Sequence, residues 1–205
     1  MNHFSSAGYW DQRYRRGGHS GSGSYGRLAD FKAGFINAFM AENDVADVID
    51  LGCGDGNLLS MLDVGTYTGV DVSPAVLARL TDRFPQHAFI PFDALPTQPP
   101  ADLALSIDVI FHLVEDDVFT RYMHALFSHA RRFVLVYASN VDLPWPSPHV
   151  RHRRFSDHVA RTRPDWRLIA HVPNRYAFDP ARPDETSFAD FFVYARAVAR
   201  VPERF

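Results

Sequence analysis

The chain has 205 residues, a formal net charge of −3 and 46% hydrophobic side chains, enough sequence for one domain with a sizeable core. No apolar run is long enough to span a bilayer, and the N-terminus lacks a charged region followed by an apolar core. The single cysteine, Cys53, excludes an intramolecular disulfide, so a cytoplasmic protein with no membrane partner is expected.

In chain order, Tyr9 to Tyr14 reads as a short helix or cap, followed by a glycine-serine stretch from Gly17 to Ser24. Apolar residues Leu28, Phe31, Phe35, Ile36 and Phe39 fall near helical spacing and predict a helix from Arg27 to Ala41. Val45 to Ile49 is a strand-like run and Asn57 to Leu62 a helix-like one. A strand over 66–71 ends on Asp71, and Ser73-Pro74 suits the cap and first position of a helix over 74–83. A strand over 88–92, a proline-rich loop from Pro96 to Pro100, and a strand from Ala101 to Asp108 follow. The rest predicts a helix from Glu115 to Ala130, a strand from Phe133 to Tyr137 and a long loop from Asn140 to His149 with three prolines. A helix from Phe155 to Arg163 and strands Trp166–Val172 and Phe188–Val198 close the chain. Alternating strands and helices predict a mainly parallel sheet covered on both faces.

The most informative segment is Asp50-Leu51-Gly52-Cys53-Gly54-Asp55-Gly56, with Asp71 twenty-one residues after Asp50. Strand, glycine turn, helix and a second strand ending in a carboxylate make a nucleoside-binding βαβ unit. The dinucleotide fingerprint wants Gly-x-Gly-x-x-Gly, but here the third glycine comes early, at Gly56, and Asn57 stands in its place. Carboxylates at Asp50 and Asp55 suit a ligand without a pyrophosphate and with a cationic portion, such as S-adenosylmethionine (SAM). Cys53 reads as a small residue that fits the turn rather than a catalytic thiol.

These residues resemble the class I SAM-dependent methyltransferases, whose first motif is acid-x-Gly-x-Gly-x-Gly. The resemblance extends, in order, through Asp71, through Phe89 to Asp93, and through Ala101 to Asp108. It implies a single Rossmann-like three-layer α/β domain, its seven-stranded, mostly parallel sheet ending in an antiparallel strand. Residues 1–43 would then form a lid and helix, 44–138 the SAM-binding core, and 139–205 the acceptor side. It implies that Gly52, Gly54 and Gly56 line the methionyl and ribose portion and that Asp71 holds the ribose. Val72 and Ser73 would flank the adenine, Asp93 with Ala94 would meet its amino group, and Ser106 and Ile107 would lie near the transferred methyl. Trp10, Asp50 and Cys53 complete the expected cofactor set, and the product is S-adenosylhomocysteine (SAH). The string from Tyr9 to Ala33 also resembles small bacterial methyltransferases associated with surface-polysaccharide and related biosynthesis.

Residues 1–35 carry a net charge of +3, residues 36–144 −10 and residues 145–205 +4. An acidic core suits a cationic cofactor, and basic flanks suit a small anionic acceptor, phosphorylated or carried on a sugar nucleotide. The glycine-serine stretch is either a solvated loop or an ordered lid with an anion site built from Ser22, Ser24, Tyr25, Arg27 and Lys32. Arg151, Arg153 and Arg154, within His149 to Phe155, are either a solvated face or a phosphate clamp. No acid or cysteine completes a metal set with the two histidines there, so no metal is expected. His112 or Asp108 is either the general base for a hydroxyl acceptor or a packing residue beneath the cofactor. Thr186 to Asp190 either lines the acceptor pocket or only begins the last strand. The first rival function is a nucleic-acid methyltransferase, favoured by the basic flanks and Trp145. A pI near 6.3 and the lack of an RNA-binding module or an Asp/Asn-Pro-Pro-aromatic motif count against it. The second is a non-catalytic SAM-binding protein.

Overall fold

The computed structural model describes residues 4–197. Helix α1 (Ser6–Arg15) is capped by Ser5, whose hydroxyl accepts from the Gly8 N–H at 3.1 Å. Helix α2 is Gly26–Glu42, followed by β1 (Asp47–Leu51), β2 (Thr66–Asp71) and α3 (Pro74–Arg83). Then come β3 (Ala88–Pro91), β4 (Ala101–Ile107), α4 (Asp116–Ser128), β5 (Ala130–Ala138), α5 (Phe155–Thr162), β6 (Trp166–Val172) and β7 (Asp190–Arg196).

The seven strands form one sheet in the order β3-β2-β1-β4-β5-β7-β6. Strands β1 to β5 pair in parallel, and β7 runs antiparallel to both β5 and β6. The antiparallel strand is thus last in sequence but interior in the sheet. The strand order reverses between β1 and β4, and ligands bind at the carboxyl ends of strands at such a point. Strand β4 is buried along its whole length, as a central parallel strand covered on both faces must be. Helix α2 packs Phe35 flat against Phe191 of β7, with ring centroids 4.3 Å apart, and sets Phe39 edge-on to Phe133 of β5.

Three local expectations change. Residues 57–62 form turns and a short 3₁₀ segment, Leu59–Met61, rather than a longer helix. Six residues before Asp63 give too short a run to repay helix nucleation. Strand β5 starts at Ala130, because Ala130 pairs with Ala101 at the start of β4, and Arg131 beside it reaches Asp47 and Asp102. Strand β7 begins at Asp190, two residues later than expected, and its expected end, Val198, lies outside the described residues.

Candidate functional site

The turn after β1 is held in place by its own amides. Gly52 N–H and Cys53 N–H both donate to the Val70 carbonyl of β2, at 2.7 and 3.1 Å. Gly52 and Gly54 have φ of 87° and 60°, which glycine adopts without strain. Neither position has room for a side chain. A Cβ on Gly52 would collide with Val109, and one on Gly54 would lie 2.5 Å from Ser20 Oγ and 3.2 Å from the Tyr14 hydroxyl.

Asp50 is buried and accepts from the Tyr67 hydroxyl at 2.8 Å through Oδ2, while its Oδ1 is buried without a partner. Burial pushes its pKa up to about 7, and nearby Asp71 adds to the rise. Asp71 accepts from Gly54 N–H at 3.1 Å and Ser73 N–H at 3.0 Å, yet burial still raises it to about 6. Burial also pushes Asp55 upward, but hydrogen bonds from Ser20, Asn57 and Tyr25 outweigh it and hold Asp55 below the ordinary carboxylate value. Cys53 is buried, and that burial drives its thiol pKa well up, consistent with a packing residue.

A roof covers these groups. In α1, Ser6 donates from its N–H and hydroxyl to Glu115 at 2.8 and 2.5 Å, and Asp11 accepts from Ser73 Oγ at 2.7 Å. The glycine-serine stretch, expected as either a solvated loop or a lid, packs onto the glycine turn. Asn57 Nδ2 donates to the Ser24 carbonyl at 2.7 Å, and Tyr14 and Ser20 share a hydroxyl contact of 3.0 Å.

The far wall comes from the end of β4. Asp108 follows β4 with φ of 60°, a left-handed conformation that aspartate adopts more readily than most side-chain residues. His112 ends the short segment Ile110–His112. Its Nδ1 lies 2.9 Å from the His149 carbonyl, which only accepts, so Nδ1 carries the proton and Nε2 is the basic nitrogen. Burial lowers the His112 pKa to about 4, which keeps the ring neutral near pH 7. Trp10 stands edge-on to it, with centroids 4.8 Å apart.

One pocket gathers Trp10, Asp50, Gly52, Cys53, Gly54, Asp71, Val72 and Ile107 from the expected cofactor set. It also gathers Asp108, His112, Ser24 and Lys32. Five expected cofactor residues do not line it. Gly56 faces Leu80 of α3 and Phe84 just beyond it, so its lack of a side chain serves packing. Ser73 caps α3, and buried Ser106 lies 2.7 Å from the Tyr122 hydroxyl beneath the site. Asp93 lines an adjoining recess with Val72 and Phe92, and Ala94 accepts from Thr97 Oγ1.

The expected anion groups mostly go elsewhere. Arg27 donates to the Glu185 carbonyl at 2.8 Å and lies over Tyr176, and Tyr25 donates to Asp55 at 2.8 Å. Ser22 accepts from the Tyr25 N–H through its carbonyl. Arg151 donates to the Val114 carbonyl at 2.9 Å, and Arg153 to Leu113 and Val114 at 3.0 and 2.9 Å. Both also pair with Asp116 at 3.2 Å, and Arg154 is exposed away from the pocket wall. Sequence reasoning left out Tyr14, Ser20, Phe92 and Val109 from the site. Asp55, the acid inside the glycine turn, lines the pocket as its carboxylate suggested. Among the described residues no group of three or more His, Cys, Asp or Glu is arranged to hold a metal, and no helix is long and apolar enough to cross a membrane.

These groups fit SAM. The unpartnered Oδ1 of Asp50 suits a cationic portion, Asp71 offers buried oxygens to a ribose diol, and Val72, Phe92, Leu113 and Val118 supply an apolar slot for a base. A family profile described as "methyltransferase domain" matches residues 26–182. The chain belongs to the class I SAM-dependent methyltransferases. It is similar to trans-aconitate 2-methyltransferase of Enterobacter sp. (strain 638), 38% identical over 79 residues, which are 37% of this chain and 31% of that protein. The match therefore spans less than a third of that relative's length. Among solved structures, the methyltransferase fold here is similar to magnesium protoporphyrin IX methyltransferase of Synechocystis PCC 6803 with bound SAH. That likeness has a TM-score of 0.65 at 15% identity, covering 93% of this chain and 97% of that one. The methyltransferase domain of a bacterial Hen1 protein gives a TM-score of 0.61 at 21% identity, covering 82% of this chain and 97% of that one.

Proposed function

We propose that this methyltransferase moves the methyl group of SAM to an oxygen of a small acceptor, with His112 as the general base. SAM supplies a methyl carbon made electrophilic by its sulfonium. Asp50 and Asp71 hold the cofactor, Val72 and Phe92 flank its base, and the lid and α1 exclude water. Alignment is the main demand of such a displacement, and a pocket walled by the glycine turn, α1 and the loop after β4 meets it. The observation that carries the reading is the His112–His149 hydrogen bond, which leaves Nε2 of a neutral imidazole as the proton acceptor on the pocket wall. A weak base suffices because the hydroxyl proton leaves as the carbon–oxygen bond forms.

The small acceptor of the trans-aconitate relative agrees in size, although trans-aconitate is itself a tricarboxylate whose oxygens need no base, which counts against the neutral-hydroxyl reading. A strongly anionic acceptor has less to recommend it than the charge of the flanks suggested. Asp50, Asp55, Asp71 and Asp108 stand on the pocket wall against Lys32 alone, which is already paired with Asp108. A hydroxyl that is neutral, or remote from any phosphate, fits that balance. The test is radiolabelled methyl transfer to matched panels of hydroxylated and phosphorylated small molecules and to short RNA. Turnover confined to phosphorylated acceptors or RNA would overturn the neutral-hydroxyl reading, and full activity of His112→Gln would overturn the role of His112.

A further inference from the structure

Lys32 is the only lysine of the chain, and it is 1% exposed. Its neighbours on the buried face of α2 are Leu28, Ala29, Ala33 and Ile36. An ammonium is costly in such a place unless it is paired and hydrogen-bonded. Its Nζ donates to the Gly23 carbonyl of the lid at 2.8 Å and to Asp108 Oδ2, and it sits 5.3 Å from the centre of the Tyr137 ring of β5. One ammonium therefore ties three separate pieces together: the lid, the loop leaving β4, and β5.

The partner matters because Asp108 makes a left-handed turn at the end of β4. It is one of two non-glycine residues with positive φ among the described residues. Its turn sets Val109 against Gly52, where a Cβ could not fit, and leads into the segment that carries His112. The Asp108 N–H donates to the Tyr137 carbonyl at 2.9 Å, and the Lys32 ammonium is what holds its side chain. The ammonium that holds the wall of the acceptor site thus also holds the lid.

We infer that Lys32 is a positioning residue that couples lid closure to assembly of the acceptor side, through Gly23 on one arm and Asp108 on the other. When the lid lifts, the Gly23 carbonyl leaves Nζ, and the ammonium loses one of its two oxygen partners. Closing over the cofactor restores it and fixes Asp108, Val109 and His112 in the same step. The inference rests on the methyl-transfer reading above. It gives Lys32 no direct contact with the acceptor.

Amide hydrogen exchange with and without SAH tests it, since SAH needs no acceptor. The comparison uses the wild type, Lys32→Met, and the double variant Lys32→Met/Asp108→Asn, in which neither charge is left unpaired. In the wild type, SAH should slow exchange in residues 17–25 and 108–113 together. In both variants SAH should still bind, with exchange in those two segments about tenfold faster than in the SAH-bound wild type and β1 and β4 unchanged. Should Lys32→Met fail to fold, the double variant carries the comparison. Wild-type protection of both segments in the variants would overturn the inference. So would faster exchange throughout the sheet, which would make Lys32 only a core residue. Absence of SAH binding in the wild type is a different result: it would remove the methyltransferase reading itself.

Discussion

Ser20 and Asp55 bind each other twice: the Ser20 N–H donates to Asp55 Oδ2 at 2.7 Å, and the Asp55 N–H donates to Ser20 Oγ at 3.0 Å. This reciprocal pair fastens the lid to the glycine turn directly over Gly54. Ser20→Ala removes one of the two bonds and the contact with Tyr14. At roughly 1 kcal/mol per net hydrogen bond, SAH should bind about tenfold more weakly and leave faster. Calorimetry and stopped-flow displacement would measure both, and unchanged affinity and off-rate would mean the latch does not hold the lid.

Asp50 gives the site a pH dependence. Its pKa is raised to about 7 in the ligand-free protein, and a cationic ligand binds its ionised form. SAH keeps the ammonium, so its affinity should fall as pH drops below 7, by up to about tenfold per pH unit. Asp50→Asn should bind weakly and lose the limb near pH 7, keeping only the lower one that Asp71 sets near 6. Stability of the ligand-free fold responds in the opposite direction. Between roughly pH 4 and pH 7 the unfolded carboxyl is ionised while the buried one keeps its proton, so this group lowers stability as pH rises. Titrations of both proteins from pH 5.5 to 8.5 would decide, and parallel profiles would exclude Asp50 as the titrating group.

His112 contributes a separate dependence. Its pKa is lowered to about 4 by burial, so between that pH and roughly 6.5 the unfolded imidazole is charged and the folded one neutral. Its share of stability is therefore full above pH 6.5 and is lost as pH falls toward 4. The acid limb of kcat should lie well below 6.5, and His112→Gln should lower kcat about 100-fold or more with little change in SAH affinity. A wild-type rate that halves near pH 6.5 and loses that limb in the variant would contradict the burial argument.

Arg151 and Arg153 are fastened to Leu113, Val114 and Asp116, and so act on stability rather than on the acceptor. Arg153 is 9% exposed, its guanidinium 4.9 Å from the Phe119 ring centre, and its pKa is lowered by burial. Arg153→Met leaves the Leu113 carbonyl without its donor and Val114 with Arg151 alone, and should cost about 1–3 kcal/mol in a denaturant titration. Neutralising Arg151 and Arg154 should leave the acceptor KM unchanged once an acceptor is in hand. A large rise in KM would restore the phosphate clamp.

The cofactor half was readable in the sequence because its signals are local. Strand β2 and helix α3 fall where the run ending on Asp71 and the Ser73-Pro74 cap put them. The acid-glycine turn gave away its torsions, and early Gly56 argued against a dinucleotide, though its real duty is packing against Leu80 and Phe84. The acceptor half was harder because its decisive contacts join residues far apart in the chain. Lys32 looks like any polar position on an amphipathic helix until Asp108 arrives 76 residues later. Arg151 and Arg153 form a basic run in sequence, but carbonyls 37 to 40 residues upstream claim them. Ser20, in a low-complexity stretch, showed no sign of its pairing with Asp55.

The central claim is that the pocket between the glycine turn and the lid is a SAM site, and titration calorimetry with SAH tests it most directly. At pH 8, with Asp50 ionised, the wild type should bind one SAH per chain, Asp71→Ala should bind at least about tenfold more weakly, and NADH should give no heat. Absence of SAH binding, or tighter binding of NADH, would contradict the account.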